Sequence, residues 1–160
     1  MTPVSLALYQ PDIPQNAGTM LRACACLGVE AAIIGPAGFP VTDSAFRRAG
    51  MDYLDLVTIH RHASFNAFED WRAASAASGK KRRLILLSTR AAMAYTACKY
   101  QSGDILLVGR ESAGVPEEVF AAADFAVRIP MRPEARALNV AVAAAMVMGE
   151  ALRQLEGVAG

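Results

Sequence analysis

Four consecutive apolar residues, Ile105-Leu106-Leu107-Val108, run straight into Gly109-Arg110-Glu111-Ser112-Ala113-Gly114-Val115-Pro116. A short apolar run with β-branched ends reads as a buried strand. Glycines at 109 and 114 allow a sharp turn and close approach of a ligand to the backbone. Pro116, followed by Glu117 and Glu118, opens a helix, with proline at its first position and acids in its first turn. Strand, ligand-sized loop and helix in that order place a candidate site at the carboxyl end of a strand in an α/β sheet. The loop is not a phosphate-binding P-loop, because Val115-Pro116 stands where Lys-Ser/Thr is required. No Gly-x-Gly-x-x-Gly occurs, so the common dinucleotide fingerprint is absent as well.

The rest of the chain repeats the alternation. Strands are expected at Val4–Tyr9, Glu30–Ile34, Leu54–Ile59, Arg83–Leu87, Ile105–Val108 and Phe125–Ile129, six in all. Between them fall a helix from beyond Asn16 to about Leu27, closed by Gly28, and a helical turn over Asp43–Ala49. A helix capped by Ser64 runs to about Ala77, another starts at Pro116, and a last one spans about Leu138–Leu155. Ser88–Gly103 is ambiguous, with a helical turn near Ala91–Ala97. This pattern predicts one α/β domain over residues 1–160, a mostly parallel six-stranded sheet with helices on both faces. Arg22 lies off the apolar stripe of the first long helix, where it projects toward a ligand or a second subunit.

Composition narrows the partners. The longest uncharged stretch near the end, Ala137–Gly149, is too short to cross a bilayer, which takes about 20 residues. The N-terminus shows no basic region of a signal peptide, so a cytoplasmic location is expected. A net charge of +1 means that a nucleic acid must be met by local patches. Candidates are Arg47-Arg48, His60-Arg61-His62, Lys80-Lys81-Arg82-Arg83, and Arg132 with Arg136. Cys24, Cys26 and Cys98 form no Cys-x-x-Cys pair and read as small core residues. His60 and His62 share a strand face but have no third ligand placed by spacing, so no metal site is expected.

Three stretches then bear on function together: Pro11-Asp12-Ile13-Pro14-Gln15-Asn16 through Arg22, Leu107–Pro116, and Arg128-Ile129-Pro130-Met131 through Arg136-Ala137-Leu138-Asn139-Val140. In this order and spacing they resemble the three motifs of the SPOUT superfamily of RNA methyltransferases. The likeness is to the small TrmL type, which methylates the ribose of the tRNA wobble nucleotide. It covers nearly the whole chain, including Arg47-Arg48-Ala49-Gly50-Met51-Asp52-Tyr53. The resemblance implies a C-terminal trefoil knot, a known exception to unknotted topology. It also implies S-adenosyl-L-methionine (SAM) as cofactor, with S-adenosyl-L-homocysteine as product, and a homodimer. The substrate implied is the anticodon stem-loop of tRNA, with neither DNA nor a membrane as partner. By position, the cofactor site falls on Leu87, Gly109, Ile129, Ala137 and Leu138, and the family's catalytic arginine on Arg22. Asn16, Glu111 and Asn139 fall on its other polar motif positions. The chain departs from the pattern in Arg110 for proline, Ala137 for serine, and Val140-Ala141-Val142 for a more polar run.

The implied chemistry fits such residues. A sulfonium methyl is already activated, so the enzyme chiefly aligns a ribose 2′-hydroxyl whose proton leaves as the new bond forms. The family's arginine is proposed as the base. A guanidinium, with a pKa of about 12.5 or above, is equally suited to gripping the adjacent phosphate in a bidentate hold. Two other readings stand beside this one: a SPOUT 2′-O-methyltransferase acting on ribosomal RNA, and a non-catalytic knotted RNA-binding dimer. A receiver-type signalling domain is disfavoured, because His60 and Arg110 stand where its acid and lysine would fall.

Overall fold

Seven strands in the order β3-β2-β1-β6-β4-β7-β5 form a single sheet in the protein, described by a computed structural model. The strands are β1 (Val4–Tyr9), β2 (Glu30–Ile34), β3 (Ile59–His62), β4 (Leu84–Leu87), β5 (Met93–Ala94), β6 (Asp104–Val108) and β7 (Phe125–Arg128). The helices are α1 (Pro14–Leu27), α2 (Asp43–Arg48), α3 (Phe65–Ala74), α4 (Glu117–Ala122) and α5 (Val140–Leu155). The structure describes residues 3–75, 82–135 and 137–155. Every strand pairing in the sheet is parallel. Among the described residues, no helix is long and apolar enough to cross a membrane.

Parallel strands buried on both faces call for near-continuous apolar runs, and β1, β4 and β6 supply them apart from the buried Ser5 and Asp104. Successive residues then feed opposite layers. Leu6, Leu8, Ile33, Ile85, Leu106 and Val108 face one core with α1 and α5. Ala7, Tyr9, Ile34, Leu84, Leu86, Ile105 and Leu107 face the other, with Phe68 of α3 and Val119 of α4.

The expectation of six strands is corrected to seven. The added strand, β5, is two residues long and pairs Met93 with Val127 and Ala94 with Arg128. Its signal is too brief for a pattern of alternation to register. The strand expected at Leu54–Ile59 is displaced: Leu54–Leu56 is a 3₁₀ turn, and pairing with β2 begins at Ile59. Leu54 and Leu56 mimic an alternating strand, yet Leu54 is buried and Leu56 is exposed on the turn. Helix α1 begins at Pro14 rather than beyond Asn16, with proline fixing φ in the first turn. Pro116 is the N-cap of α4, not its first helical residue. Ser64 caps α3 as expected, accepting from Ala67 N at 3.1 Å, and that helix ends at Ala74. Ala77, Lys80 and Lys81 lie outside the described residues, as does Arg136.

Two buried charges fix the amino ends of the strands. Arg72 is 1 % exposed; it donates to both Glu69 oxygens at 3.0 and 2.8 Å, to Arg82 O at 2.9 Å and to Asp124 Oδ2 at 3.2 Å. Asp124 also accepts from Leu84 N at 2.8 Å, which ties β4 to the turn before β7. Asp104 is 1 % exposed and takes Arg83 in a bidentate pair at 2.9 and 2.7 Å. Arg82 and Arg83, grouped in the sequence with a basic patch, are therefore structural. Removing one member of such a set strands the others without a partner. Arg72→Ala is expected to cost about 3–5 kcal/mol in urea unfolding, against about 0.5 kcal/mol or less for Arg47→Ala in the exposed Arg47–Asp55 pair.

Candidate active site

The carboxyl ends of β4, β6 and β7 converge on one cavity of about 700 Å³. That size suits a cofactor-sized ligand. Leu87 ends β4, Gly109 follows β6 and Ile129 follows β7, while Ala137 and Leu138 approach from the segment before α5. All five expected cofactor residues thus line one space, with apolar walls completed by Val108, Phe120 and Val127.

The loop after β6 is tighter than its sequence suggests. Arg110 N donates to Gly114 O at 3.1 Å and Gly114 N returns to Arg110 O at 2.9 Å. A Cβ on Gly109 would lie 2.8 Å from Gly114 C and 2.9 Å from its Cα, so the first need for glycine at 109 is the fold-back of this loop. Gly114 adopts φ +61°, in the left-handed region. At position 110, Arg110 supplies a backbone N–H to that closure, which a proline lacks. Its guanidinium also donates to Gly114 O and lies over the Tyr9 ring at 5.5 Å.

Three of the four expected catalytic residues form a chain along the cavity wall. Asn139 Nδ2 donates to Asn16 Oδ1 at 3.0 Å, and Asn16 Nδ2 donates to Glu111 Oε1 at 3.2 Å. Asn139 Oδ1 accepts from Ala141 N at 2.8 Å and Val142 N at 3.2 Å, so the same side chain caps α5. Asp12, which the sequence reading passed over, anchors the other end. It accepts from Glu111 N at 3.3 Å and from Ser112 Oγ at 2.7 Å. Its only sequence signal was its place between two prolines in the first motif.

Glu111 Oε2 is enclosed and meets no donor among the described residues. Burial raises the Glu111 carboxyl above its ordinary range, and the neighbouring Asp12 carboxyl raises it further. Asp12 is lowered from 3.8 to about 2, chiefly by its side-chain hydrogen bond with Glu111 and then by Ser112. The two neighbouring carboxyls are thus pushed in opposite directions, Glu111 up and Asp12 down.

Arg22 is not part of this cavity. Its guanidinium lies over the Tyr53 ring at 4.8 Å and 3.7 Å from Asp52, and its side chain is 60 % exposed. The other basic candidates divide. Arg47, Arg48 and Arg132 are exposed; Arg61 is tied to Asp43 at 2.7 Å and to Val41 O. His60 pairs with Glu30 at 2.8 Å, and both His60 and His62 pack on Trp71. Cys24 and Cys98 are buried as expected, but Cys26 is exposed.

The model of the SpoU rRNA Methylase family matches residues 3–149. A protein of Beijerinckia indica named tRNA (cytidine(34)-2′-O)-methyltransferase is 66 % identical over 96 % of this chain and 93 % of its own. A solved structure described as giving insight into the 2-OH methylation of C/U34 on tRNA superposes with a TM-score of 0.84, at 40 % identity, over 96 % of this chain and 97 % of its own. The SpoU methyltransferase AviRb from Streptomyces viridochromogenes, in complex with AdoMet, gives a TM-score of 0.86 at 27 % identity, over 98 % of this chain and 62 % of its own.

The carboxyl pair makes a titration prediction. Asp12→Asn removes one of the two causes that raise Glu111, so the Glu111 carboxyl should titrate lower, observed by carboxyl carbon NMR. The signs of linkage differ within the wild-type pair. Asp12 contributes stability above its unfolded value of 3.8 that is lost as pH falls toward about 2. Glu111 contributes below its ordinary value, and that is lost as pH rises through its folded value.

Proposed function

This chain belongs to the SpoU rRNA Methylase family, and from that premise we propose that it is a tRNA (cytidine(34)/uridine(34)-2′-O)-methyltransferase using SAM. The observation that carries the cofactor reading is that one cavity brings Leu87, Gly109, Ile129, Ala137 and Leu138 together with Asn16, Glu111 and Asn139. Its fit to SAM rests on what lines it. Apolar walls at Leu87, Val108, Phe120 and Ile129 suit an adenine, and strand-end backbone offers donors and acceptors where side chains do not.

When bound there, SAM supplies a methyl group already activated by its sulfonium charge. The loop backbones at Leu87, Gly109 and Ile129, with Ala137 and Leu138, hold the cofactor and keep water from it. Asn16, Glu111 and Asn139 orient the ribose at the polar wall. Arg22 aligns the 2′-hydroxyl by holding the neighbouring phosphate in a bidentate grip.

Arg22 does not line the cavity of its own chain, and the active species we propose is a homodimer in which it serves the cavity of the second copy. An exposed apolar stripe supports this: Leu138, Val142 and Met146 recur four residues apart up to and along α5, which packs beside α1. The whole chain forms one methyltransferase domain with its C-terminal half threaded as a trefoil knot. The strand order β6-β4-β7-β5, where later segments flank β4, supports that threading. The partner is the anticodon stem-loop of a tRNA, whose unpaired bases can be splayed into a site. The work is done in the cytoplasm.

Mass spectrometry of tRNA nucleosides after incubation with SAM should find 2′-O-methylation at position 34; transfer to ribosomal RNA alone would overturn the substrate. Gly109→Ala should weaken SAM binding in calorimetry by at least about tenfold, because the displaced loop carries both backbone and Glu111. Arg22→Ala should bind SAM normally and transfer no methyl group. Ala137→Ser should change transfer by no more than about tenfold, the scale of one neutral hydrogen bond.

A further inference from the structure

The stretch Arg47-Arg48-Ala49-Gly50-Met51-Asp52-Tyr53 has no place in the cavity, and its folding is nonetheless closely specified. Met51 N donates to Phe46 O and Gly50 N to Arg47 O, both at 3.1 Å, so the chain doubles back as α2 ends. Gly50 makes that reversal with φ +85°, in the region where a side chain is strained. Phe46 and Met51 are then buried together, and Tyr53 is delivered against α1.

Tyr53 is held at both ends. Its hydroxyl donates to Gly18 O at 2.7 Å, one turn before Arg22 on the same helix. Its ring sits in the core with Leu54, leaving the residue 7 % exposed. The Arg22 guanidinium lies over the ring at 4.8 Å, and Asp52, the preceding residue, lies 3.7 Å from the same guanidinium. An arginine on a helix surface otherwise samples many rotamers, and ordering it has an entropic cost. A fixed aromatic platform removes much of that freedom before substrate arrives.

We propose that Tyr53 is a positioning residue for Arg22: its ring fixes the direction in which the guanidinium leaves α1, and Asp52 orients it, so that the arginine is presented ready-aimed to the cavity of the second copy. The proposal rests on the reading that Arg22 serves methyl transfer. It assigns the Arg47–Tyr53 stretch a role in the reaction although none of its residues lines the cofactor cavity.

The test uses the full-length protein, with single-turnover transfer from labelled SAM to tRNA, SAM affinity by calorimetry, and an NMR spectrum of the arginine Nε–H groups. In the wild type, the Arg22 Nε–H proton should be shifted upfield by the Tyr53 ring current. Tyr53→Leu should abolish that shift and slow transfer by at least about tenfold, with SAM affinity unchanged within about threefold. Tyr53→Phe and Tyr53→Trp keep a ring and should restore the shift and most of the rate; a role confined to stability would not follow aromaticity. Should Tyr53→Leu fail to fold, the comparison moves to Asp52→Asn, which should slow transfer while the ring-current shift persists. A folded Tyr53→Leu that transfers at the wild-type rate while Arg22→Ala is inactive would overturn the proposal. So would a wild-type spectrum with no shifted Arg22 signal. Transfer at the wild-type rate by Arg22→Ala would instead overturn the underlying reading of Arg22.

Discussion

The parallel pairing of β1 with β6 is the constraint from which the rest follows. Val4 to Leu8 lie in register with Asp104 to Val108, both strands buried at every residue. A parallel pair cannot be joined by a hairpin, so the strands all leave the sheet at the same, carboxyl, end. With β4 beside β6 and β7 beside β4, three loops open side by side at that end. The cavity is the space they leave, and its walls are largely backbone because they are strand ends. The buried Arg72 and Asp104 clusters secure the opposite ends of β4 and β6 and keep the three exits level.

Much of this was legible in the residues. Val4–Tyr9, Glu30–Ile34 and the run before Gly109 were readable because a doubly buried strand leaves a largely apolar signature, broken here only by Ser5 and Glu30. Ser64 was readable as a cap because the hydroxyl has a local job. Some misreadings arise where the deciding partner is distant in sequence. Met93–Ala94 is a strand only because Val127 and Arg128 lie beside it. Arg82 and Arg83 look like solvated cations until Gly103 O and Asp104 are brought to them.

The site shows the same division. Leu87, Gly109, Ile129, Ala137 and Leu138 were placed by motif position, and the fold gathers them in one cavity. Asp12 was missed, since its bonds to Glu111 and Ser112 span 99 and 100 residues. The reason for Gly109 was only half visible. Sequence suggests room for a ligand, whereas the nearest obstacle to a side chain is Gly114. Arg22 was seen to lie off the apolar stripe of its helix, and it does, but the ring beneath it comes from Tyr53, beyond two further elements.

The closed loop between Arg110 and Gly114 has a consequence for how this protein tolerates insertion and deletion. Ser112 and Ala113 are exposed at the tip, where Ser112 Oγ donates to Asp12 and Ala113 lines the cavity. The span is constrained as well, because the paired bonds between Arg110 and Gly114 fix the number of residues that fit between them. One more residue would leave the ends bridged and rotate Glu111 away from Asn16, or keep Glu111 and break the bridge. At this turn the protein is strict in length, the reverse of what holds for most surface loops.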